Sequence, residues 1–322
     1  MEQPRFKELR RTYGFDEVAI VPGDVTTNPD QTLIDFSLRG FTLQMPILAS
    51  AMDAVVSPSF AVLMGKMGGL GVLNLEGVWT RYEKPEDVLQ SIVECPADKV
   101  TPLLQKVYSA PIQEDLVGGR IREIKRAGAV CAVSVTPQNT KKLVPVIGEA
   151  GADILVVQST VTTARHRSKS YRGLHFDELV SQVKMPVIVG NCVSFSAALE
   201  LMETGIDGIL VGVGPGAACT TREVLGVGVP QVTATMDCAA ARDYYHRRTG
   251  RYVAVITDGG IRTGGDLCKA FACGADAVML GTPFAQTAEA PGKGFNWGMA
   301  SPHPALPRGT RIRVGVRGTL EQ

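Results

Sequence analysis

Residues 186–214 read PVIVGNCVSFSAALELMETGIDGILVGVG, and this stretch decides the fold. Two short apolar runs rich in β-branched residues flank a segment with helical periodicity. Each run has the length and composition of a strand buried on both faces. Ser194 is a suitable N-cap for the helix, and Gly205 is a suitable residue to end it. The stretch therefore predicts a strand–helix–strand unit with parallel strands.

The same kind of apolar run recurs along the whole chain. The runs begin at Pro46, Gly71, Val130, Asp153, Pro186, Gly208, Val253 and Ala277. Most of them are about 22 to 32 residues apart, which fits one strand plus one helix for each unit. Eight repeats favour a closed (β/α)8 barrel, the TIM barrel, over an open doubly wound sheet. Because no low-complexity linker interrupts the chain, residues 1–322 are predicted to form one domain.

Two stretches depart from this spacing. Residues 75–128 are too long for one crossover and are predicted to contain extra helices. Residues 290–317 are rich in Gly, Pro and Arg and are predicted to form an active-site flap. No clear barrel helix follows the eighth run, so either a C-terminal piece is missing from this sequence or another element closes the barrel.

The composition excludes several classes of function. The 33 basic and 32 acidic residues nearly balance, so nothing steers the whole molecule to nucleic acid or to an acidic membrane. No apolar run reaches the roughly 20 residues that span a bilayer. The seven cysteines are odd in number and form no C-x-x-C pair, which disfavours a disulfide framework or a structural zinc site. We expect a cytoplasmic protein with reduced thiols.

The loop after the sixth run contains a candidate nucleophile. In a barrel of this type the active site lies on the loops that follow the strands. Residues 212–222 read GVGPGAACTTR, so Cys219 lies among glycine-rich backbone and Thr221 offers a hydroxyl nearby. A cysteine surrounded by backbone amides can react as a thiolate. The alternative is a structural glycine turn with an inert thiol.

The loops after the last two runs suggest a phosphorylated ligand. Asp258 begins the sequence DGGIRTGGD and can bond ribose hydroxyls, while Gly259 and Gly260 let backbone amides approach a phosphate. Gly281 and Thr282 follow the eighth run and can complete that phosphate site. The alternative is that these are ordinary loop glycines.

Six segments of the chain together resemble one family. They are YGFDEVAIVPG from Tyr13, SAMDAVV from Ser50, GVGPGAACTTR, VITDGGIRTGGD, AVMLGTPFAQTAEAPG and NWGMASP. In this order they are similar to segments of the IMP dehydrogenase and GMP reductase family. The resemblance runs from about Tyr13 to Gln322. It is greatest to the compact, IMP dehydrogenase-related branch that has no CBS-pair domain.

The resemblance implies a role for each matching residue. Cys219 would attack purine C2, and Thr221 would help to activate water or ammonia. The implied nucleotide-binding residues are Ser50, Met52, Gly216, Asp258, Gly259, Gly260, Gly281, Thr282, Gly298 and Met299. The implied contacts of an NAD or NADP cofactor are Gln158, Asn191, Gly212 and Gly214. The backbone carbonyls of Gly212, Gly214 and Cys219 match a monovalent-cation (K⁺) site, and the family resemblance implies a homotetramer.

The chain departs from the family pattern at four places. Ala217 stands where a phosphate-binding serine is usual, and Gln158 where an aspartate usually binds the nicotinamide ribose. Residues 290–317 lack the Arg–Tyr pair with which the dehydrogenases activate water. Arg308 stands where both activities usually have a glutamate.

Several functions stay open at this point. A GMP reductase is favoured by the missing Arg–Tyr pair and by the segment GVGVPQVTATMDCA. An IMP dehydrogenase is supported by GGLGVLN and by Arg308 in place of the reductase glutamate. A non-catalytic sensor of purine nucleotides is disfavoured by the intact Cys219–Thr221 pair. A more distant alternative is an unrelated phosphate-binding barrel such as a flavin enzyme.

A basic cluster, RHRSKSYR at residues 165–172, follows the fourth run and so belongs to the active-site end of the barrel. Its simplest interpretation is a solvated surface loop. Because Gln158 ends the same run, the cofactor needs to be held elsewhere. Arg165 and Arg167 are therefore candidates to bind its diphosphate or a 2′-phosphate and to select NADPH.

Overall fold

The computed structural model describes residues 9–166, 173–298 and 311–321. Its centre is a closed barrel of eight parallel strands in the order β3 to β10, with β10 paired to β3. The barrel strands are β3 (Ile47–Ala49), β4 (Leu70–Asn74), β5 (Ala132–Val135), β6 (Ile154–Gln158), β7 (Val187–Cys192), β8 (Gly208–Val211), β9 (Ala254–Asp258) and β10 (Ala277–Leu280). Each of the eight predicted runs is a barrel strand, which confirms the (β/α)8 fold.

Side chains inside the barrel form a continuous apolar core. Val72, Val156, Ile188, Leu210 and Met279 are all at most 1% exposed there. A short antiparallel hairpin, β1 (Phe36–Leu38) with β2 (Phe41–Leu43), packs its apolar side chains against the same cluster. The barrel centre is therefore filled, and a ligand can bind only on the loops at one end.

Helices surround the barrel. They are α1 (Pro58–Lys66), α2 (Pro85–Glu94), α3 (Val100–Ser109), α4 (Glu114–Arg126), α5 (Pro137–Glu149), α6 (Phe176–Gln182), α7 (Phe195–Glu203), α8 (Thr221–Leu225), α9 (Gln231–Thr249), α10 (Gly264–Ala272) and α11 (Thr282–Ala285). Ser194 caps α7 as predicted, accepting a hydrogen bond from the amide of Ala197. Gly205 follows with a φ of +92°, a conformation that favours glycine. None of the described helices is long and apolar enough to cross a membrane.

The two irregular stretches have distinct structures. Residues 75–128 contain α2, α3 and α4 in addition to a 3₁₀ turn, Val78–Thr80. In residues 290–317, β11 (Phe295–Trp297) and β12 (Arg311–Arg313) pair antiparallel, with Asn296 opposite Ile312. The predicted flap thus leaves the barrel and returns through this two-stranded base, while residues 299–310 lie outside the described part of the chain.

Buried polar contacts fix the base of the flap to the barrel wall. The Trp297 indole donates to the Tyr108 hydroxyl at 2.8 Å, and that hydroxyl donates to the Asp53 carboxylate at 2.7 Å. On the other strand, the Arg311 guanidinium donates to the carbonyls of Val93 and Cys95 at the end of α2. Both strands are therefore fixed to the extra helices.

Candidate active site

A cleft of about 1110 Å³ opens at the end of the barrel where the strands finish. A volume of this size exceeds what a drug-sized ligand needs and can accept a nucleotide together with part of a second ligand. Most of the predicted site residues line it: Ser50, Met52, Gln158, Asn191, Gly212, Gly214, Gly216, Cys219, Thr221, Asp258, Gly259, Gly260, Gly281, Thr282 and Gly298. The fold thus collects residues from the ends of six strands and from the flap base.

Cys219 lies on the loop between β8 and α9, and its side chain is exposed to the cleft. Its thiol donates a hydrogen bond to the Thr221 hydroxyl, with 3.3 Å between Sγ and Oγ1. The amide of Cys219 donates to the carbonyl of Gly216 at 3.0 Å, which tightens the turn before it. An accessible thiol with an adjacent hydroxyl is suited to nucleophilic attack, because the hydroxyl provides a first step for the departing proton. All seven cysteines are free, as the sequence predicts.

Asp258, at the end of β9, is held by two amide side chains. Its Oδ2 accepts hydrogen bonds from Asn191 at 2.8 Å and from Gln158 at 3.1 Å. Burial raises the pKa of Asp258 to about 6, and the bond from Asn191 lowers it in part. Both amides bond Oδ2, so the other carboxylate oxygen, Oδ1, can accept a hydrogen bond from a ligand hydroxyl.

Gln158 and Asn191, the implied cofactor contacts, both line the cleft and bond each other there. Gln158 also donates to Asn191 at 3.2 Å, so both side chains are bonded to each other and to Asp258. The carbonyl oxygen Oε1 of Gln158 is buried and has no partner within the described structure. A buried acceptor without a donor is costly, so this atom is available to a ligand N–H or O–H group.

Two glycines after Asp258 allow the backbone to approach the cysteine loop. Gly259 and Gly260 have φ values of +86° and +80°, which side chains rarely adopt. A Cβ on either residue would lie 3.1 Å from the ring of Pro215. The glycine turn and the cysteine loop are thus packed together, which places both on the same side of the cleft.

Gly281 begins the short helix α11 beside the loop that follows β3. A Cβ at Gly281 would lie 3.2 Å from Sδ of Met52 and 3.6 Å from Oγ of Ser50. The amide of Ser50 donates to the carbonyl of Leu280 at 2.9 Å, since β3 and β10 are neighbours in the closed barrel. The first and last strands together therefore form one wall of the site.

Three predicted residues are not placed in the cleft. Arg165 does not line it, because its exposed guanidinium pairs with Glu200 of α7. Arg167 and Met299 lie outside the described residues. Within the described ranges, no group of three or more His, Cys, Asp or Glu side chains could hold a metal ion.

Two side chains with a structural role in the site were not predicted from the sequence. Gln231, the first residue of α9, donates to the carbonyls of Val211 at 2.6 Å and Asp258 at 3.3 Å, and so connects the ends of β8 and β9. Arg222 bonds both ends of the cysteine loop. Arg222 belongs to the motif GVGPGAACTTR, but no periodicity or composition indicates which carbonyls it contacts.

The comparisons with known proteins identify the family of this chain. A profile of the IMP dehydrogenase / GMP reductase domain matches residues 12–300. An uncharacterized oxidoreductase of Mycolicibacterium smegmatis is 43% identical over 325 residues, covering 98% of this chain and 87% of that protein. Inosine-5′-monophosphate dehydrogenase of Cryptosporidium parvum is 34% identical over 304 residues, covering 89% of this chain and 71% of the dehydrogenase.

A solved structure has the same fold throughout. The crystal structure of an IMP dehydrogenase/GMP reductase-like protein from Corynebacterium glutamicum superposes with a TM-score of 0.92 at 37% sequence identity, covering 98% of this chain and 84% of that one. The barrel and its cleft therefore define an oxidoreductase. More narrowly, the chain belongs to the IMP dehydrogenase / GMP reductase family, whose members bind purine nucleotides and use nicotinamide cofactors.

Proposed function

We propose that this protein is a GMP reductase, which converts GMP, NADPH and two protons into IMP, NADP⁺ and ammonium. The observation that carries the proposal is the exposed Cys219 thiol, bonded to Thr221 in the same cleft as Asp258 and the glycine turns. A nucleotide whose ribose bonds Asp258 and whose phosphate meets the amides of Gly259, Gly260 and Gly281 presents its base toward the cysteine loop.

The chain's own groups supply the covalent chemistry. Cys219 loses its proton through the Thr221 hydroxyl, and the thiolate forms a bond to purine C2. The C2–NH2 bond then breaks, and the amine leaves as ammonia after taking up a proton. A reduced nicotinamide supplies the hydride that C2 accepts. The C2–S bond breaks last, which returns the thiolate to Cys219 and releases IMP.

The reductase is favoured over the dehydrogenase by the composition of the flap. Hydrolysis of a covalent intermediate needs a base that activates water near neutral pH. Residues 290–317 contain no tyrosine, so the Arg–Tyr pair expected of a dehydrogenase cannot form there. Displacement of ammonia followed by hydride addition does not need that pair.

IMP dehydrogenase is the second candidate. It is supported by relatives of that name, including the proteins from Cryptosporidium parvum and Borreliella burgdorferi, the latter 32% identical over 311 residues. In that reaction IMP, NAD⁺ and water give XMP, NADH and a proton. A nucleotide-binding sensor without activity is the remaining candidate.

The cleft fits a nicotinamide cofactor beside the nucleotide. It continues from Cys219 to the loops after β5 and β6, where Gln138, Lys141 and Thr163 line it. The unpartnered oxygen of Gln158 lies between these regions and can accept from the second ligand. We propose NADPH as this ligand, with the basic cluster at 165–172 binding its phosphates after Arg165 exchanges Glu200 for the phosphate. An exposed ion pair of this kind is weak, so the exchange is feasible.

Two further properties are part of the proposal. The carbonyls of Gly212, Gly214 and Cys219 are proposed to bind K⁺, which a comparison of activity in K⁺ and Na⁺ buffers tests.

A homotetramer in the cytoplasm is proposed as the working form. The segment before β1 supports an assembly, since Val21, Val25 and Leu33 are 83 to 91% exposed on one chain. Light scattering at several concentrations gives the oligomeric state.

One assay separates the candidate functions. The purified protein is given GMP with NADPH, or IMP with NAD⁺, and absorbance of the reduced nicotinamide is followed. Consumption of NADPH only with GMP supports the reductase, whereas production of NADH with IMP identifies the dehydrogenase. Binding of both nucleotides without turnover in either assay would leave the sensor.

A further inference from the structure

One side chain within the loop that carries Cys219 bonds the backbone near both ends of that loop. This loop, residues 212–230, connects β8 to α9. Arg222, on the short helix α8 within it, donates from Nε to the carbonyl of Val213 at 3.2 Å and from Nη2 to the carbonyl of Val229 at 2.6 Å. One planar guanidinium thus bonds residues near both ends of the loop at the same time.

The backbone on both sides is shaped around Arg222. A Cβ at Gly214 would lie 2.6 Å from Cγ of Arg222, and a Cβ at Gly228 would lie 2.5 Å from its Nε. Real Cβ atoms do not approach other heavy atoms this closely, so only glycine fits at either position while the guanidinium occupies its place. Two close approaches and two hydrogen bonds therefore define one position for this side chain.

Arg222 also acts on Cys219 electrostatically. Partial burial lowers the pKa of Arg222, and the nearby charge of Cys219 opposes that change. The guanidinium remains protonated at physiological pH, as arginine does in proteins.

We propose that Arg222 is the positioning residue that keeps the Cys219 loop closed. Its guanidinium does so by donating hydrogen bonds to the carbonyls of both Val213 and Val229. The alternative is that these are two incidental bonds of an exposed loop. Positioning matters here because a nucleophile displaced by about 1 Å can lose on the order of a hundredfold in rate. The proposal rests on the proposed function only in taking Cys219 as the nucleophile.

Hydrogen exchange measures loop closure without any turnover. In Arg222→Met, peptides spanning residues 213–229 should exchange about tenfold faster, since two hydrogen bonds that close the loop are lost. Arg222→Lys keeps the charge but not the planar fork, so its exchange should also be fast. The control is Arg248→Met, which removes an exposed arginine paired with Glu203 on α7. Unchanged exchange in Arg222→Met, or full restoration by lysine, would overturn the proposal.

A glycine pair tests the geometry independently of the arginine. Gly228→Ala should displace Arg222 and reproduce the fast exchange, because its Cβ would also lie 2.8 Å from the Val213 carbonyl. Gly228 is not in the left-handed region, so strain of the backbone does not explain the effect. Gly119→Ala on α4 is the matched control, since a Cβ there meets nothing within 4 Å. Equal exchange in both alanine variants would contradict the role of Arg222 in closing the loop.

Kinetics then distinguish positioning from general stability. With the loop open, kcat should fall at least about tenfold, while the dissociation constant of GMP and the melting temperature change little. In Arg222→Met, GMP should protect the Cys219 thiol from alkylation by iodoacetamide much less than it does in the protein with Arg222. Both measurements are made in a Cys268→Ala background. If the protein proves to be inactive with GMP and NADPH, the exchange and alkylation results still decide the role of Arg222. A normal kcat in Arg222→Met would reject that role even if the reductase assay succeeds.

Discussion

The side-chain amide of Asn191 donates to the carboxylate of Asp258 at 2.8 Å across the mouth of the barrel. Asn191 is the penultimate residue of β7 and Asp258 the last residue of β9, and the Gln158 amide of β6 bonds the same carboxylate oxygen. Because the carboxylate is buried, its charge depends on these amides and its pKa is raised to about 6. The proposed ribose contact at Asp258 therefore links nucleotide binding to proton binding.

This linkage predicts a pH dependence of nucleotide affinity. Protonation below about pH 6 removes the charge-assisted acceptor for the ribose hydroxyls, so the dissociation constant of GMP should rise as the pH falls through 6. The loss should reach about tenfold. Asn191→Leu should move the midpoint upward, since the Asn191 bond lowers the pKa. Titration calorimetry across pH 5–8 measures both, and Asp258→Asn, which titrates no carboxyl here, corrects for the nucleotide phosphate.

The nucleophile assignment predicts a separation of turnover from binding. Cys219→Ala should lower kcat by a factor of a hundred or more and leave the dissociation constant of GMP within about twofold, because in the proposed mechanism the thiol forms the covalent bond and the glycine turns hold the phosphate. Cys268→Ala, which removes another exposed thiol, serves as the control. Activity above about a hundredth of wild type in Cys219→Ala would contradict the assignment.

The buried hydrogen bonds at the flap base are predicted to stabilise the folded protein. Tyr108→Phe removes the donor to Asp53 and the acceptor of Trp297, which should lower the free energy of unfolding by about 1–3 kcal/mol. Denaturant titration measures the loss. Tyr244→Phe, at an exposed tyrosine on α9, should cost much less. Equal losses in the two variants would show that the hydrogen-bond chain adds nothing to ordinary packing.

Asp53, which ends the hydrogen-bond chain from Trp297 through Tyr108, predicts how the free energy of unfolding changes with pH. Burial raises its pKa to about 6, whereas an unfolded aspartate titrates near 4. The folded state thus binds the proton more tightly, so this group adds stability as the pH falls from about 7 to 4. Tyr108→Phe removes a bond that lowers this pKa and should therefore make the slope steeper. Unfolding titrations of the wild type and of Tyr108→Phe at several pH values supply the comparison. If the free energy of unfolding changes with pH equally in both proteins, the Tyr108 bond does not set the pKa of Asp53.

The cofactor proposal predicts opposite effects for the partners of one ion pair. Arg165→Ala should raise the KM for NADPH and leave that for NADH nearly unchanged, while Glu200→Gln should lower the KM for NADPH by releasing Arg165. High salt should weaken both effects because the pair is exposed. Equal changes for the two cofactors, or none, would return Arg165 to a surface ion pair without a role in binding.

Local chemistry in the sequence determined much of this protein. Buried strands have a characteristic length and β-branched composition, so all eight barrel strands and the α7 cap at Ser194 could be predicted. Cys219, Thr221, Asp258 and Gly281 were also located, because chemistry in this fold lies directly after the strands. These inferences need only residues that are close in the chain.

Tertiary structure alone decided how those residues are connected. The bonds of Gln158 and Asn191 to Asp258 could not be predicted, because closing the barrel is what brings the ends of β6, β7 and β9 together. The pairing of Arg165 with Glu200 and the bonds of Arg222 likewise depend on where separate loops meet. Hydrogen bonds between distant residues follow strand register and loop path, and neither leaves a periodic signal in the sequence.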